Sequence, residues 1–122
     1  METRTPAVDV HLREELDELA ATLCKALIDP KRLAVLYALR DRPHTVTELC
    51  EMLDALQSNT SQHLAVLRDR DLVDTERRGS NVYYSLRHPK VLDAIDLLRE
   101  VMTDEHDRRH LVRRRRTTGR KP

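Results

Sequence analysis

Residues 45–70 read TVTELCEMLDALQSNTSQHLAVLRDR, and this stretch decides the fold of the 122-residue chain. Thr45 and Glu48 have the spacing of a capping box, in which each residue satisfies a free backbone amide of the other. The pattern predicts a helix over residues 46–53, a brief connection over 54–58 and a second helix after it. Two short helices joined by a tight connection are typical of a helix-turn-helix.

The second helix is predicted to have one apolar and one polar face. Its inward side carries Leu56, Thr60, Leu64 and Leu67. Its outer face is small, polar and uncharged, with Ser58, Asn59 and Gln62 in the middle and Ser61 and His63 at the margins. Such side chains can reach base edges in the major groove of DNA, and the amides of Asn59 and Gln62 suit adenine. A face that is merely solvated is the alternative.

Thr60, His63 and Arg68 of this helix are assigned separately. Thr60 either packs inward or contacts DNA, and we include it among the candidate contacts. His63 and Arg68 are expected to touch the DNA backbone rather than a base. A histidine that only braces the turn is the alternative for His63.

A β-hairpin is predicted after the second helix. Residues 72–77 and 82–86 favour strands, and Arg78-Gly79-Ser80-Asn81 lies between them as a turn. The hairpin would place Arg77 and Arg78 on a protruding wing, where guanidinium groups can meet phosphates or a minor groove. An ordinary solvated turn is the alternative.

The first and last helices are predicted to have wide apolar stripes. Leu12, Leu16, Leu19, Leu23 and Leu27 share one face near the N-terminus, and a similar stripe follows Pro89. The short middle region cannot cover both stripes, so we expect a second copy to cover them. The predicted fold is therefore mainly α with a small β-hairpin wing: a winged helix-turn-helix that forms a dimer through its first and last helices.

The charge distribution suggests three segments: a flexible N-terminus over 1–10, the winged helix-turn-helix domain over 11–106 and a basic tail over 107–122. The tail carries eight basic residues and one acidic residue. Because like charges repel and little in the tail is apolar, we expect it to be disordered. A polyanion partner and a merely solubilising tail are both open interpretations.

The composition argues against several classes of protein. The chain contains two glycines and no tryptophan or phenylalanine, so it has neither a glycine-rich phosphate loop nor an aromatic cofactor cleft. We expect no enzymatic activity and no cofactor. No segment has the length and apolarity of a membrane span, and two cysteines do not make a disulfide scaffold, so a cytoplasmic location is expected.

Residues 19–104 resemble the ArsR/SmtB family of winged helix-turn-helix repressors. The matching stretches are residues 23–33 (LCKALIDPKRL), 47–49 (TEL), 57–68 (QSNTSQHLAVLR), and 72–73 leading to 82–86 (VYYSL). The resemblance implies a homodimeric repressor that an effector releases from a palindromic double-stranded DNA operator. It also implies that Ser58, Asn59, Ser61, Gln62 and His63 face the groove. Thr60 departs from the family pattern, which has an aliphatic residue there. The alternative function is a protein-interaction module without sequence-specific DNA binding.

The resemblance also directs attention to effector sites. Cys50 matches the first thiolate of one metal-site type, but Met52 replaces the second. The other site type is broken at Lys90 and Val101, so we expect no metal site of the family type. His106 and His110, four residues apart, are a weaker metal candidate than a solvated segment. A thiol-redox or arsenical switch at Cys24 or Cys50 is the remaining hypothesis, with a core position as the alternative for Cys24.

Overall fold

The computed structural model describes the backbone of residues 7–119 and the side chains of residues 7–109. Its chain divides at Pro89 into two compact units. The first unit contains helices α1 (Val10–Leu19), α2 (Lys25–Leu27), α3 (Pro30–Ala38), α4 (Val46–Leu53) and α5 (Gln57–Asp69), then strands β1 (Val73–Arg78) and β2 (Asn81–Leu86). The second is the helix α6 (Lys90–Gly119). The predicted order of elements, with its single hairpin, is confirmed for the described residues.

The first helix is interrupted by a wider turn that the sequence did not predict. A π-helical segment, Ala20–Cys24, joins α1 to α2. The hydroxyl of Thr22 donates to the carbonyl of Glu18 at 2.7 Å, and the Arg70 guanidinium donates to the carbonyl of Ala21 at 3.2 Å. Side-chain donors of this kind stabilise carbonyls released where a helix changes its hydrogen-bonding pattern.

The break between α2 and α3 lies where the sequence placed it, at Asp29 and Pro30. The Asp29 carboxylate accepts from the backbone N–H of Lys31 at 2.8 Å, so it caps the new helix, while Pro30 occupies the first turn. The Arg32 guanidinium donates to the Ala26 carbonyl at 2.7 Å and satisfies the end of the preceding helix. Backbone groups at the end of α2 and at the start of α3 thus both have side-chain hydrogen-bond partners.

The core of the first unit is small and aliphatic. Leu49, Leu64 and Leu67 come from the helix-turn-helix and are fully buried. The other buried apolar residues of this unit are Ala26, Val35, Leu36, Leu39, Leu72 and Val73. Leu56, predicted to lie inward, is instead 69% exposed, because it precedes the first turn of α5 as its N-cap.

The hairpin pairs residue for residue from Val73 with Leu86 to Arg78 with Asn81. Gly79 has a φ of 62°, a conformation that glycine adopts without the steric cost of a Cβ, and it begins the two-residue turn. His44 extends the sheet by one antiparallel bridge to Tyr84, with N–H···O distances of 3.0 and 2.8 Å. The wing is thus tied by its backbone to His44, two residues before α4.

The structure of α6 differs from the expected tail. The backbone is helical to Gly119, so residues 107–119 are helical where disorder was expected. Arginine is a good helix former, and Glu105 pairs with Arg108 at 3.7 Å, one turn away. The domain expected over 11–106 is divided at Pro89, while residues 1–6 and 120–122 lie outside the described residues.

Candidate nucleic-acid interface

The helix-turn-helix is built on a complete capping box. The hydroxyl of Thr45 accepts from the Glu48 N–H at 3.2 Å, and Glu48 accepts from the Thr45 N–H at 3.4 Å. At the other end of α4, Asp54 adopts a left-handed conformation with a φ of 49°. Aspartate tolerates this conformation better than most residues, and it ends the helix sharply. The two helices are therefore separated by only the residues 54–56.

The second of these helices, α5, begins at Gln57. Gln57 and Ser58, expected in the connection, are therefore helical, because the extended backbone of Leu56 is sufficient to start the helix. The residues on its buried face follow a spacing of four and three: Thr60, Leu64 and Leu67. This spacing keeps the opposite face free of contacts with the core.

Thr60 belongs to the buried face, which corrects its inclusion among the DNA contacts. Its side chain is 1% exposed, and its hydroxyl donates to the Leu56 carbonyl at 3.1 Å. The hydroxyl is thus satisfied inside its own helix, and the side chain is enclosed on the buried face. A base could not reach this side chain without rotation of the whole helix.

The other candidate contacts on α5 lie at its surface. Ser58, Asn59, Ser61, Gln62 and Arg68 are exposed, and His63 is half-buried. Within the described part of the chain, none of these six side chains has a hydrogen-bond partner. The structure therefore brings together on α5 a set of polar groups that are available to an external partner.

The two arginines of the wing differ in their surroundings. Arg78 donates to the Glu76 carboxylate at 3.1 Å and lies over the Tyr83 ring, 4.8 Å from its centre. The hydrogen bond to Glu76 is the largest cause of a raised pKa for the Arg78 guanidinium. Arg77 is exposed and makes no comparable side-chain contact with the described residues. Arg77 is therefore the more available of the two for a phosphate.

A buried histidine, which the sequence reasoning missed, joins the wing to the helix-turn-helix. His44 is 2% exposed, with Nδ1 3.0 Å from a Glu48 oxygen and Nε2 3.2 Å from an Asp41 oxygen. Each ring nitrogen therefore lies within hydrogen-bond distance of one carboxylate oxygen, and neither nitrogen is buried without a partner. The His44 side chain contacts the capping box while its backbone pairs with Tyr84 of the wing.

These contacts act on both carboxyl groups. The hydrogen bond with His44 is the largest cause of a lowered pKa for Asp41, whose ordinary value is 3.8. The same contact is the largest cause of a lowered pKa for Glu48, whose ordinary value is 4.5. Arg42 adds a further contact to Glu48 at 3.3 Å. A histidine one residue before the capping box, with Asp41 three residues before it and Glu48 four residues after it, is the signal that could have identified this cluster from the sequence.

The arginine contacts at the ends of α5 and the wing were also not predicted. Arg70 ends α5 and reaches the π-helical segment, as described above. Arg87, just after the wing, pairs with Asp71 at 3.1 Å and with Asp74 at 4.0 Å. Both arginines hold the interface elements in place, and neither belongs to an evident sequence motif.

The two cysteines occupy different environments. Cys24 is exposed in the π-helical segment, which corrects the interpretation of Cys24 as a core residue. Cys50 is half-buried on α4. Among the described residues, no group of three or more histidine, cysteine, aspartate or glutamate side chains could hold a metal ion. The His110 side chain lies outside them.

Comparison with known proteins identifies the family. Residues 29–75 match the family model described as bacterial regulatory protein, arsR family. The chain is 40% identical over 85 residues to the HTH-type transcriptional regulator YgaV of Escherichia coli, covering 69% of this chain and 86% of that protein. The chain belongs to the arsR family. It is thus a DNA-binding transcriptional regulator with a winged helix-turn-helix fold and not an enzyme.

Solved structures agree with this assignment. The reduced HlyU of Vibrio cholerae has a TM-score of 0.66 at 36% identity, covering 75% of this chain and 97% of that one. A fragment of Mb0332 from Mycobacterium bovis, described as a homodimeric winged helix-turn-helix DNA-binding domain, has a TM-score of 0.65 at 26% identity and covers 83% of this chain and 93% of that one. A protein-interaction module without DNA binding is not favoured for this arsR-family member. No helix in the described part of the chain could cross a membrane.

The burial of Thr60 generates a first prediction. Thr60→Val removes the hydroxyl but keeps the shape of the side chain. The Leu56 carbonyl keeps its other donor, the backbone N–H of residue 60 at 3.0 Å. We expect the free energy of unfolding to change by less than about 1 kcal/mol and operator affinity to be unchanged. Urea unfolding and fluorescence anisotropy measure the two quantities. A loss of about 1–3 kcal/mol in operator binding would instead place Thr60 at a base.

The His44 cluster generates a second prediction. Because the Asp41 and Glu48 carboxyls have lowered pKa values in the folded chain, their stabilisation is complete above the ordinary values of 3.8 and 4.5. It is lost as the pH falls through the lowered values, because the unfolded chain then binds more protons. We expect the free energy of unfolding to fall steadily with acid below the ordinary values.

Urea unfolding at fixed protein concentration across this pH range tests the prediction. Glu48→Gln and Asp41→Asn should each flatten the acid dependence, whereas Glu51→Gln on the exposed side of α4 should retain the wild-type slope. An acid slope that is the same in Glu48→Gln and in wild type would contradict the assignment.

Proposed function

We propose that the chain acts as a homodimeric repressor that binds a palindromic DNA operator. The observation that carries the proposal is the exposed, uncharged polar face of α5, whose side chains have no partners among the described residues. A helix with such a face, braced by a second helix and flanked by a basic wing, is suited to the major groove. The cytoplasm, where the chromosome of a bacterium lies, is the proposed location.

The contacts divide by chemistry. Gln62 and Asn59 offer a donor and an acceptor together, which matches adenine in the major groove. Ser58 and Ser61 are adaptable donors to bases or phosphates. His63, Arg68, Arg77 and Arg78 are assigned to the DNA backbone, with Arg77 the more available wing residue. Backbone contacts fix the position of the protein, whereas base contacts select the sequence.

Two exposed apolar surfaces support the dimer. On α1, Leu12, Leu16 and Leu19 are 37%, 47% and 42% exposed. On α6, the corresponding exposed residues are Leu97, Leu98, Val101 and Met102. Contiguous apolar faces of this kind are covered in solution, and a second copy offers the same two faces. The dimer would place its two copies of α5 about 34 Å apart, which is one helical turn of DNA.

The basic end of α6 is proposed to support DNA binding through charge alone. Residues 107–122 carry eight basic side chains and one acidic side chain. Lysine and arginine that neutralise phosphates release counterions and strengthen binding to any duplex. This part of the chain would therefore add affinity without sequence preference.

Substitution of Gln62 tests the function. Gln62→Ala should cost about 1–3 kcal/mol on the preferred operator and should relax selectivity at one base pair, because a bidentate base contact is lost. Arg77→Ala is the matched control: it should weaken binding to all duplexes alike and reduce the salt dependence. Anisotropy titrations with the operator, single-base variants and a scrambled duplex separate the two effects. A uniform loss for Gln62→Ala would make Gln62 a backbone contact.

We propose that the effector acts through a thiol. Cys50 lies half-buried on α4, and its carbonyl accepts from the Ala55 N–H in the helix-turn-helix turn at 3.0 Å. A group added to the half-buried Cys50 side chain would therefore be introduced at a residue that is bonded to that turn. Cys24 is exposed and is a second candidate for oxidants, arsenicals or soft metal ions.

Operator release tests the thiol proposal. Arsenite or a mild oxidant should release wild-type protein from its operator, and Cys50→Ser should remain bound, because serine offers no soft thiolate. Cys24→Ser is the matched variant that shows whether both thiols are needed. Gel shifts with and without reductant measure release. If wild type and Cys50→Ser respond alike, the effector does not act at Cys50.

A further inference from the structure

A cavity of about 310 Å³ opens between the start of α3 and the first half of α5. Its apolar walls are formed by Ala34 and Val35 of α3 and by Leu53, Ala55 and Leu56 at the helix-turn-helix turn. A volume of this size is at the lower end of small-molecule sites, which combine apolar walls with a few polar groups. The cavity therefore has room for one small ring or branched chain with a polar head.

Three polar side chains without hydrogen bonds line the same cavity. Lys31 comes from the first turn of α3, and Asn59 and His63 come from α5. None of them has a hydrogen-bond partner among the described residues, although the His63 ring lies close enough to Asp29 to contribute to that carboxyl's lowered pKa. An ammonium and an amide N–H₂ are donors that match a carboxylate.

Two acidic side chains near the cavity, Asp29 and Asp54, differ in how far they offset the positive charge of Lys31. Asp29 is engaged by the Lys31 backbone N–H at 2.8 Å and by the Arg32 guanidinium at 3.7 Å. Asp54 also lines the cavity and has no ion-pair partner among the described residues. Asp54 should therefore weaken the binding of an anion, and Lys31 should strengthen it.

We propose that this cavity binds a small organic carboxylate with an apolar body and that the bound acid competes with the operator. The carboxylate is held by Lys31 and Asn59, and the apolar body lies against Val35 and Leu53. Competition follows because Asn59 and His63 belong both to the cavity and to the proposed DNA-contacting face. This regulatory part rests on the proposed function, whereas binding of the acid does not.

Benzoate is the probe, and benzamide, of the same shape without charge, is its control. Titration calorimetry and thermal unfolding of the full chain without DNA measure binding. We expect benzoate to bind with a Kd of about 1 mM or tighter, and benzamide to bind at least several-fold more weakly. Equal binding of the two probes, or no binding of benzoate at these concentrations, would overturn the proposal.

Charge variants locate the site. Lys31→Gln should weaken benzoate binding by about three- to tenfold, because one charge-assisted contact is lost. Lys25→Gln, an exposed lysine outside the cavity, should leave it unchanged. Asp54→Asn keeps a residue that tolerates the left-handed conformation and should tighten binding. Weaker benzoate binding in Asp54→Asn would contradict the placement of the carboxylate in this cavity.

Two cavity-filling variants complete the test. Ala55→Leu at the exposed turn and Ala34→Leu on α3 should each abolish benzoate binding while circular dichroism shows that the helices remain. Normal benzoate binding in both folded variants would overturn the site. Operator binding by the wild-type protein is measured separately, without benzoate. If the wild-type protein does not bind an operator, this result contradicts the proposed function but not the benzoate site. Benzoate binding without operator release would contradict only the competition.

Discussion

The arrangement of wing and helix-turn-helix depends on one buried imidazole. His44 contacts the Glu48 carboxylate through one ring nitrogen and the Asp41 carboxylate through the other, and its backbone pairs with Tyr84 in the wing. A buried polar ring is costly unless both nitrogens have partners, so the ring and the Asp41 and Glu48 carboxylates hold one another in place. Glu48 also completes the capping box of α4. The wing and the start of the bracing helix are therefore held by the same residue, the wing through the His44 backbone and the helix through the His44 ring.

The helix α5 is under a second constraint. One of its faces packs into the core, and the opposite face is available to an external partner. Thr60, Leu64 and Leu67 are buried, and Leu64 and Leu67 anchor the helix through apolar contacts. The exposed face carries short polar side chains that contribute little to stability. This division leaves the exposed residues free to change with the DNA sequence while the buried spacing of four and three preserves the fold.

Local sequence rules predicted the elements whose cause is local. The capping box of Thr45 and Glu48, the break at Asp29-Pro30 and the turn at Gly79 each depend on neighbours within a few residues. Features that depend on distant contacts were not predicted: the π-helical segment near Arg70 and the position of His44 beside Tyr84. The exposure of Leu56 was missed because α5 starts one residue after it, earlier than the sequence indicated. The Arg70 side chain and the Ala21 carbonyl it contacts are 49 residues apart in the chain. On the candidate interface, the exposed set was predicted by helical spacing, whereas Thr60 required the packed structure to resolve its two interpretations.

Residues 50–56 lie beside two of the proposed regulatory inputs, the Cys50 thiol and the carboxylate cavity. The carbonyl of Cys50 accepts from the Ala55 N–H, Asp54 ends α4 in a left-handed conformation, and Leu56 is the N-cap of α5. A modification at Cys50 would alter the turn from within, while a carboxylate in the cavity would occupy Asn59 directly. A ligand shifts an equilibrium only by its difference in affinity for the two states. An acid that shares Asn59 and His63 with the operator meets this condition by exclusion, without any change in the fold. A modified thiol has to produce the difference in affinity through strain in the turn. The thiol and the bound acid can therefore act independently on α5.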